Sequence, residues 1–279
     1  MDKYLIIDFY NYLHRGLIGP GPKDKLLISY LFFSNLRATV EQFNPTKLMF
    51  ALEGHPKHRY DIYPEYKSNR IIKTGSEKSE NKIKQKSEIQ EAASLIKQTL
   101  MHFNCTLVSH PDFEADDIVN TLCHMLHDEE VIVITGDTDY IQLLEQNFTN
   151  CKVYSPMKKT FFEKSNYPYV AEKSIRGDKS DNIPCLLTPK KADAHLSNPA
   201  LLKEFLSIEE NRAAFNINKS LIEFIKVPED ELKLENGSSN FDAVYQNFQK
   251  MEFKSYIDPG NEKAETKWNK FVSTFVNLN

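Results

Sequence analysis

Short apolar runs alternate with longer amphipathic stretches through residues 1–155 of the chain. The apolar runs predict buried strands at 3–8, 46–52, 105–109, 130–135 and 151–155. The stretches between them have helical periodicity, and they predict helices at about 24–43, 64–70, 87–103, 114–127 and 139–146. Strands and helices that alternate in this way indicate an α/β fold with a parallel-sheet core flanked by helices.

The pattern changes after the fifth predicted strand. Short helical stretches follow, and they are interrupted by Pro184, Pro189, Pro199 and Pro228. The segment NGSSN at 236–240 is typical of a flexible connection, and amphipathic patterns at 241–251 and 264–276 predict two closing helices. We therefore expect two domains, a core of residues 1–180 and a smaller helical lobe of residues 181–279.

Composition favours a globular protein of a reducing compartment. With 279 residues, 41% of them hydrophobic, the chain can bury a sizeable core. The four cysteines have neither Cys-x-x-Cys pairing nor zinc spacing, which predicts free thiols. The N-terminal apolar run is interrupted by Asp8, and no run approaches the ~18 apolar residues of a membrane span. We expect a cytoplasmic protein without a signal peptide.

The charge is unevenly distributed along the chain. The formal net charge of −4 argues against a nucleic-acid partner when it is taken alone. Between residues 55 and 86, however, nine Lys or Arg residues stand against four acidic residues, a local balance of +5. This basic segment favours a polyanionic substrate that is bound through its phosphates. The alternative for residues 74–87 is a solvated loop that becomes ordered only with substrate.

Acidic residues recur where predicted strands end. Asp8 ends the first strand, and Asp137 and Asp139 follow the fourth strand in a tight turn. Because the carboxyl ends of parallel strands meet at one edge of a sheet, we expect these side chains to converge. A single acid of this kind is usually part of a turn or a helix cap. The repeated placement instead predicts a common crevice.

The segment FEADDI adds three more acids at the start of a predicted helix. Helical spacing places Glu114 and Asp117 on one face and turns Asp116 away from them. Carboxylates with no cysteine and little histidine among them suit Mg²⁺ or Mn²⁺ better than zinc. The residues therefore predict a metal-dependent enzyme that acts on phosphate esters.

Five ordered motifs resemble those of the 5′ nuclease family, which includes flap endonucleases and the exonuclease domain of bacterial DNA polymerase I. They are LIIDF, RYDIYPEYKSNR, FEADDIVNTL, TGDTDYIQLL and IRGDKSDNIP, and the resemblance covers residues 3–190. Within the family, KVYSPMKKTF followed by RGDKSDN is most similar to the ribonuclease H of T-even bacteriophages. The resemblance implies a PIN-like fold with a basic helical arch at about 55–90 and a C-terminal lobe that binds duplex DNA.

The resemblance also implies roles for individual residues. The metal-binding residues, acting directly or through water, would be Asp8, Glu114, Asp116, Asp117, Asp137, Asp139, Asp178 and Asp181. Lys67 and Arg70 would contact the scissile phosphate, and Tyr66 would support the terminal base. The nucleic-acid-binding residues would be Arg59, Lys73, Lys78, Lys82, Lys84, Lys190 and Lys191.

The sequence departs from the family pattern at two places. Glu53 stands where the family commonly has Asp, and a longer carboxylate can still reach a metal through water. The continuation DNIPCLLTPKKADAHL lacks the glycines of the family's helix–three-turn–helix hairpin, so backbone amides approach phosphate less closely. Lys190 and Lys191 would replace that contact electrostatically, which leaves a K⁺ site in the lobe open.

The activity implied by the resemblance is 5′–3′ exonuclease and flap endonuclease cleavage of RNA–DNA and DNA–DNA duplexes. Two Mg²⁺ ions, with Mn²⁺ as a substitute, would support it. The implied task is removal of RNA primers in replication, by a monomer assisted by a single-stranded DNA-binding protein.

Two other function classes stay in view. A haloacid dehalogenase-type phosphatase needs Asp-x-Asp after its first strand, where this chain has Tyr10. A non-catalytic binder of branched DNA would keep the basic segment and lose the acids, which are present here.

Overall fold

The computed structural model describes residues 1–15, 17, 23–70, 76–146, 148 and 150–279, with only the backbone of Lys78. These residues form a seven-stranded sheet in the order β6-β5-β4-β1-β2-β3-β7. Its strands are β1 (Lys3–Asp8), β2 (Lys47–Ala51), β3 (Thr106–Ser109), β4 (Glu130–Ile134), β5 (Cys151–Ser155), β6 (Thr160–Phe161) and β7 (Lys233–Asn236). The five central strands are parallel, which confirms the predicted core, and β6 and β7 add antiparallel edges.

Helices cover both faces of this sheet. In the described residues they are α1 (Phe9–Arg15), α2 (Lys25–Phe43), α3 (Lys57–Ile62), α4 (Glu77–Leu100), α5 (Ala115–Met125), α6 (Ile141–Glu145), α7 (Tyr169–Arg176), α8 (Pro189–Leu196), α9 (Pro199–Ser207), α10 (Glu209–Ile222), α11 (Phe241–Lys250), α12 (Lys254–Ile257) and α13 (Glu262–Phe275). Leu5 and Ile7 of β1 pack on the α2 and α4 side, whereas Ile6 packs on the α5 side. Because strand side chains alternate between faces, a strand covered on both sides is apolar throughout, as β1 is.

The C-terminal region divides differently from the predicted lobe. Residues 189–222 form the three helices α8, α9 and α10. The chain then returns to the sheet as β7, and Phe248, Phe271 and Phe275 pack in the same core cluster as Phe33 and Phe103. Residues 233–279 are therefore part of the main core, which corrects the expected boundary at 181. Burial of these aromatic rings is the physical reason for the return.

The segment NGSSN is also not a flexible connection. Asn236 ends β7, and the Gly237 amide donates to the Cys105 carbonyl at 2.9 Å. The Ser238 and Asn240 amides donate to the Met101 and His102 carbonyls at 3.1 and 3.0 Å. Asn240 also caps α11, since its side chain accepts from the Ala243 amide. These backbone hydrogen bonds fix a segment whose composition is that of a linker.

The predicted arch contains different elements from those expected. Instead of a helix at 64–70, the structure has α3 before this segment and a single 3₁₀ turn at Ser68–Arg70. Lys67 has φ +54° and donates its amide to the Asp181 carbonyl at 2.9 Å, which is incompatible with a helix at that point. The next helix, α4, begins ten residues earlier than the predicted 87, because Ser76 and Ser79 form a capping box there. Among the described residues, no helix is long and apolar enough to cross a membrane.

Candidate functional site

A crevice of about 400 Å³ lies where β1, β2 and β4 end. It brings together acidic residues from five separate segments of the chain, as expected for the carboxyl edge of a parallel sheet. Its acidic lining residues are Asp8, Glu53, Glu114, Asp116, Asp137, Asp139, Asp178 and Asp181. Seven of the eight predicted metal-binding acids thus meet at one place, together with Glu53. Asp117 is the predicted acid that does not line the crevice.

Asp8 lies at the floor of the crevice and is nearly buried. Its carboxylate accepts from the Asn11 amide and the Tyr140 hydroxyl, each at 3.1 Å, and from the Thr135 hydroxyl at 3.4 Å. Burial is the larger effect, and it raises the pKa of Asp8 to about 6 despite these donors. All of these donors are neutral, so the charge of Asp8 lacks a compensating cation.

Glu53 reaches the crevice because the chain passes close to a neighbouring loop at Gly54. A Cβ at Gly54 would stand 2.1 Å from the His110 carbonyl oxygen, so only glycine fits there. The carboxylate of Glu53 accepts from the Ala115 amide at the start of α5, at 3.1 Å. The side chain is reached by solvent, but the surrounding protein restricts its hydration and Glu114 lies nearby. These two effects raise the pKa of Glu53 to about 7.

Asp137 and Asp116 face the same space from two sides. Asp137 accepts from the Asp139 amide at 2.9 Å, and restricted hydration, followed by the Asp139 charge, raises its pKa to about 6. Asp116 has its nearest cation, Arg59, 4.0 Å away, and this cation is already bound to other acids. Burial and then Asp117 raise the pKa of Asp116 well above its ordinary value.

The remaining acids of the crevice are paired with cations. Glu114 accepts from Arg59 at 2.8 Å and from Tyr66 at 3.0 Å, and its other oxygen accepts from Lys67. Burial alone would raise the pKa of Glu114, but Lys67 and Arg59 outweigh it and lower the pKa. Asp181 accepts from Arg70 and from Tyr66, the latter at 3.3 Å. The crevice therefore contains both compensated and uncompensated carboxylates.

The acids nearest to α7 share a single lysine. Lys173 lies 2.5 Å from Asp139 and 2.5 Å from Asp178, and Tyr169 donates to Asp139 at 2.7 Å. Burial would raise the pKa of Asp178, but hydrogen bonds from Lys173 and Ser180 outweigh it and lower the pKa. The protein thus compensates one of the two negative charges of this pair of acids.

Arg59 and Asp117 do not take the roles expected of them. The Arg59 side chain is 1% exposed, and it binds Asp117, Glu114 and the Leu221 carbonyl oxygen inside the protein. Both oxygens of Asp117 accept from Arg59, and Asp117 is 0% exposed. A guanidinium without solvent access cannot contact DNA, and the fully bonded Asp117 is turned away from the crevice. The two residues form a structural ion pair.

Tyr66 is likewise placed differently from the expectation. Its side chain is 3% exposed, and its hydroxyl is bonded to Glu114 and Asp181. A buried ring in this position orients two carboxylates and has no face free for a terminal base. Lys67 and Arg70, in contrast, line the crevice opposite Asp8, where a phosphate can be reached.

The predicted nucleic-acid-binding lysines lie on separate surfaces. Lys82 and Lys84 are exposed on α4, and Lys190 and Lys191 are exposed in the first turn of α8. Lys73 and the side chain of Lys78 fall outside the described residues.

Several crevice residues have no counterpart in the sequence analysis. They are Asn11, His14 and Tyr140, which line the crevice, and Tyr169 and Lys173, which contact its acids from α7. Asn11 anchors the GDTD turn, since its side-chain oxygen accepts from the Gly136 amide at 2.6 Å. A usable signal was present for Tyr169 and Lys173, which are four residues apart on one helix face just before RGD.

The donor set of the crevice fits a hard divalent cation. Asp8, Glu53 and Asp137 make no ion pair with any described residue, and their pKa values are raised, which indicates unbalanced negative charge. Oxygen ligands of this type suit Mg²⁺ or Mn²⁺. In the described part of the chain, no three His, Cys, Asp or Glu side chains already form a metal shell. Bonds to Lys67, Arg59 and Lys173 draw several of the carboxylates toward protein cations instead.

Comparison with known proteins places this geometry in a family. The family model described as 5′-3′ exonuclease, N-terminal resolvase-like domain, matches residues 3–174. The chain belongs to this family. The 5′-3′ exonuclease of Bacillus subtilis is 30% identical over 206 residues, which cover 66% of this chain and 65% of that protein. DNA polymerase I of Caldicellulosiruptor bescii is 26% identical over 65% of this chain, which corresponds to 21% of the polymerase. The chain thus matches less than two thirds of the length of these relatives.

Solved structures of nucleases share the fold across almost the whole chain. The flap endonuclease D15 of bacteriophage T5, solved with DNA and metal ions, has a TM-score of 0.59 at 14% identity and covers 98% of this chain and 99% of its own. Human GEN1, solved with Holliday junction DNA, has a TM-score of 0.56 at 15% identity and covers 98% of this chain and 72% of its own. The fold is therefore that of PIN-like 5′ nucleases, as the sequence motifs predicted, and a haloacid dehalogenase-type phosphatase is excluded.

Proposed function

We propose that this chain hydrolyses phosphodiester bonds at the 5′ ends and 5′ flaps of nucleic-acid duplexes, with divalent metal. The observation that carries the proposal is the convergence of four carboxylates beside Lys67 and Arg70 in one crevice. Asp8, Glu53 and Asp137 make no ion pair with any described residue, and Asp116 has only Arg59 at 4.0 Å, which is already bound to Asp117 and Glu114. Family membership and the DNA-bound nucleases of the same fold support the same reaction class.

The chain's own residues supply positioning and charge. Asp8, Asp116 and Asp137 would hold metal directly, and Glu53 would do so directly or through water. When bound, a pair of divalent cations activates the attacking water and stabilises the leaving oxygen. Lys67 faces the same space, and it can exchange its bond to Glu114 for one to a phosphate as charge develops there. Tyr66 and Arg59 keep Glu114 in place while this exchange occurs.

The substrate is recognised through its phosphates in this proposal. The exposed lysines of α4 and of α8 lie on surfaces that a duplex and its 5′ strand can contact. None of the described residues that line the crevice is an evident reader of the 2′-hydroxyl, so RNA and DNA 5′ ends should both be cleaved. We also propose that the chain removes RNA primers, with Mg²⁺ as the metal and a single-stranded DNA-binding protein as helper. These three details rest on the resemblance to the T-even phage branch.

A product-length assay tests the proposal. The substrates are nicked duplexes with a 5′ RNA end, a 5′ DNA end or a 5′ flap, each incubated with and without Mg²⁺. We expect short 5′ products from all three only with metal, and none from the Asp137→Asn variant. Binding without cleavage by the wild type in Mg²⁺ and in Mn²⁺ would favour the non-catalytic binder of branched DNA instead.

A further inference from the structure

Lys173 occupies a position between two crevice carboxylates. Its Nζ lies 2.5 Å from Oδ1 of Asp139 and 2.5 Å from Oδ2 of Asp178, and 18% of its side chain is exposed. A short contact to two acids at once is the arrangement that a metal ion would otherwise make. The ammonium therefore compensates one of the two negative charges of Asp139 and Asp178, the acids that form the α7 half of the crevice.

The backbone and the neighbouring side chains hold this arrangement in place. Tyr169, one turn earlier on α7, donates to the same oxygen of Asp139 at 2.7 Å. Gly177 ends α7 with φ +69°, and a Cβ there would stand 2.6 Å from the Ile183 carbonyl oxygen. The turn that only glycine permits directs Asp178 back toward Lys173. The contact is thus built into the end of α7.

In the opposite half of the crevice, no described cation makes an ion pair with Asp8, Glu53 or Asp137. Asp8 and Asp137 are bonded to neutral donors, and Glu53 accepts from a backbone amide. The crevice is consequently asymmetric in charge, although both halves consist of carboxylates. A divalent cation entering the half around Asp8, Glu53 and Asp137 meets carboxylates that make no ion pair with any described residue, with Lys67 as a more distant cation. One entering the α7 half meets the ammonium of Lys173 in direct contact with both of its acids.

We propose that Lys173 is a built-in counter-ion that a divalent metal must displace from Asp139 and Asp178. The α7 half of the crevice then binds metal more weakly than the half around Asp8, Glu53 and Asp137. This inference rests on the proposed function only in that the crevice takes divalent metal. Its consequence is that the α7 half fills when an anionic substrate is present to receive the displaced ammonium.

Calorimetric titration of the metal-free full chain with MnCl₂ tests the inference. Lys173→Met should tighten the weaker binding event by about tenfold or more, because it removes both the competitor and a like charge. Lys179→Met is the matched control, since Lys179 is exposed in the loop that follows α7 and makes no ion pair with any described residue. It should change the affinity by less than about twofold, and Lys173→Arg should bind as the wild type does.

Thermal unfolding gives a second readout. Without metal, Lys173→Met should melt below the wild type, since Asp139 and Asp178 lose their cation, and saturating Mn²⁺ should raise its Tm by more than it raises that of the wild type. If Lys173→Met does not fold, Lys173→Gln is used in its place. Unchanged or weaker Mn²⁺ binding in a folded Lys173 variant would overturn the inference, and so would an equal gain in Lys179→Met. If the protein cleaves nucleic acid but its metal affinity does not change when Lys173 is replaced, this inference alone is refuted. If the metal affinities change as expected but the protein cleaves no substrate, the proposed function alone is refuted.

Discussion

Arg59 and Asp117 form a two-point ion pair in the interior of the protein. Nη1 of Arg59 donates to Oδ2 of Asp117 at 2.6 Å, and Nη2 donates to Oδ1 at 2.9 Å. Nε of the same guanidinium donates to the Leu221 carbonyl oxygen at 3.0 Å, and the Ile225 amide donates to Asp117 at 3.0 Å. The pair therefore joins α3, the start of α5 and the segment that follows α10, directly behind Glu114.

Replacing Arg59 should destabilise the protein strongly. Arg59→Met leaves Asp117 buried without its cation, and breaking a buried pair in this way costs about 3–5 kcal/mol of unfolding free energy. Urea unfolding of the metal-free protein measures the loss. The control is Lys57→Met on the exposed side of the same helix, which should stay within about 0.5 kcal/mol of the wild type. Equal stability of the two variants would show that the pair contributes little.

Two adjacent aspartates should behave oppositely when each is changed to asparagine. Asp116→Asn should weaken metal binding and leave stability unchanged or raised, because Asp116 faces the crevice with unbalanced charge. Asp117→Asn should lower stability by ~3 kcal/mol or more and keep the metal stoichiometry. Calorimetry with Mn²⁺ and urea unfolding of both variants make the comparison. If one of the two variants lost both metal affinity and stability more than the other, Asp116 and Asp117 would not have the separate roles inferred here.

The raised pKa values of the crevice acids should lower the stability of the metal-free protein as the pH rises from about 5 to 8. His14, His58 and His124, whose pKa values burial lowers, contribute with the opposite sign in the same range. Burial or restricted hydration raises the folded-state pKa of Asp8 and Asp137 to about 6 and that of Glu53 to about 7, above their ordinary values near 4. For acids with a raised folded pKa, the folded state retains protons that the unfolded state releases, so stability falls through this window. Glu114 and Asp178, whose pKa values are lowered, are already ionised above pH ~5 and do not contribute.

Thermal melts at closely spaced pH values, with and without Mg²⁺, measure this dependence. Saturating Mg²⁺ should flatten the slope, because the cation replaces the missing positive charge. The double variant Asp8→Asn/Asp137→Asn should also have a shallower slope without metal. Because the wild type and the double variant share the same histidines, an equal pH slope in the two without metal would contradict the charge imbalance inferred for the crevice.

The sheet and the acidic crevice could be predicted because their signals are local. Four or five apolar residues followed by an acid identify both a strand and its ligand-bearing end, as at Asp8 and in the GDTD turn. Asp8, Asp137 and Asp139 line the crevice for this reason, and the other four predicted acids that line it came from the start of α5 and from the family motifs. Their individual roles as ligands remain predictions.

The features that sequence reasoning missed depend on contacts between distant segments. Helical spacing separates Asp116 from Asp117, but it does not say which of the two faces the crevice. The contact of Asp117 with Arg59, 58 residues earlier, decides that Asp117 is the buried one. The segment NGSSN has the composition of a linker, but its register against β3 and the carboxyl end of α4 orders it. Burial of Phe248 and Phe271 against Phe33 likewise decides that the C-terminal helices rejoin the core, and no local pattern contains that partner.

Removing Lys67 should affect the chemical step more than binding. Its side chain faces the crevice beside Glu114, and its contact with phosphate should strengthen as charge develops in the transition state. We expect Lys67→Ala to reduce the single-turnover rate by about 100-fold or more while Kd changes by less than about fivefold. Lys82→Ala/Lys84→Ala should instead weaken binding and reduce the salt dependence of log Kd, by ~0.7–0.9 for each lost phosphate contact. Equal effects of the two changes on Kd would show that these lysines share one binding surface.

The exposed lysines of α8 should set how many nucleotides are removed per encounter. Lys190 and Lys191 lie in the first turn of α8, where the sequence lacks glycines that would let backbone amides approach phosphate. Binding through flexible side chains is screened by salt, so the run length should be short and should fall steeply between two salt concentrations. We expect Lys190→Ala/Lys191→Ala to shorten the run further without changing the rate of the first cleavage. The number of nucleotides released per binding event, under excess trap DNA, measures the run length. The charge-matched control is Lys250→Ala/Lys263→Ala, which removes two exposed lysines from α11 and α13. An unchanged run length in the α8 variant would place duplex binding on another surface.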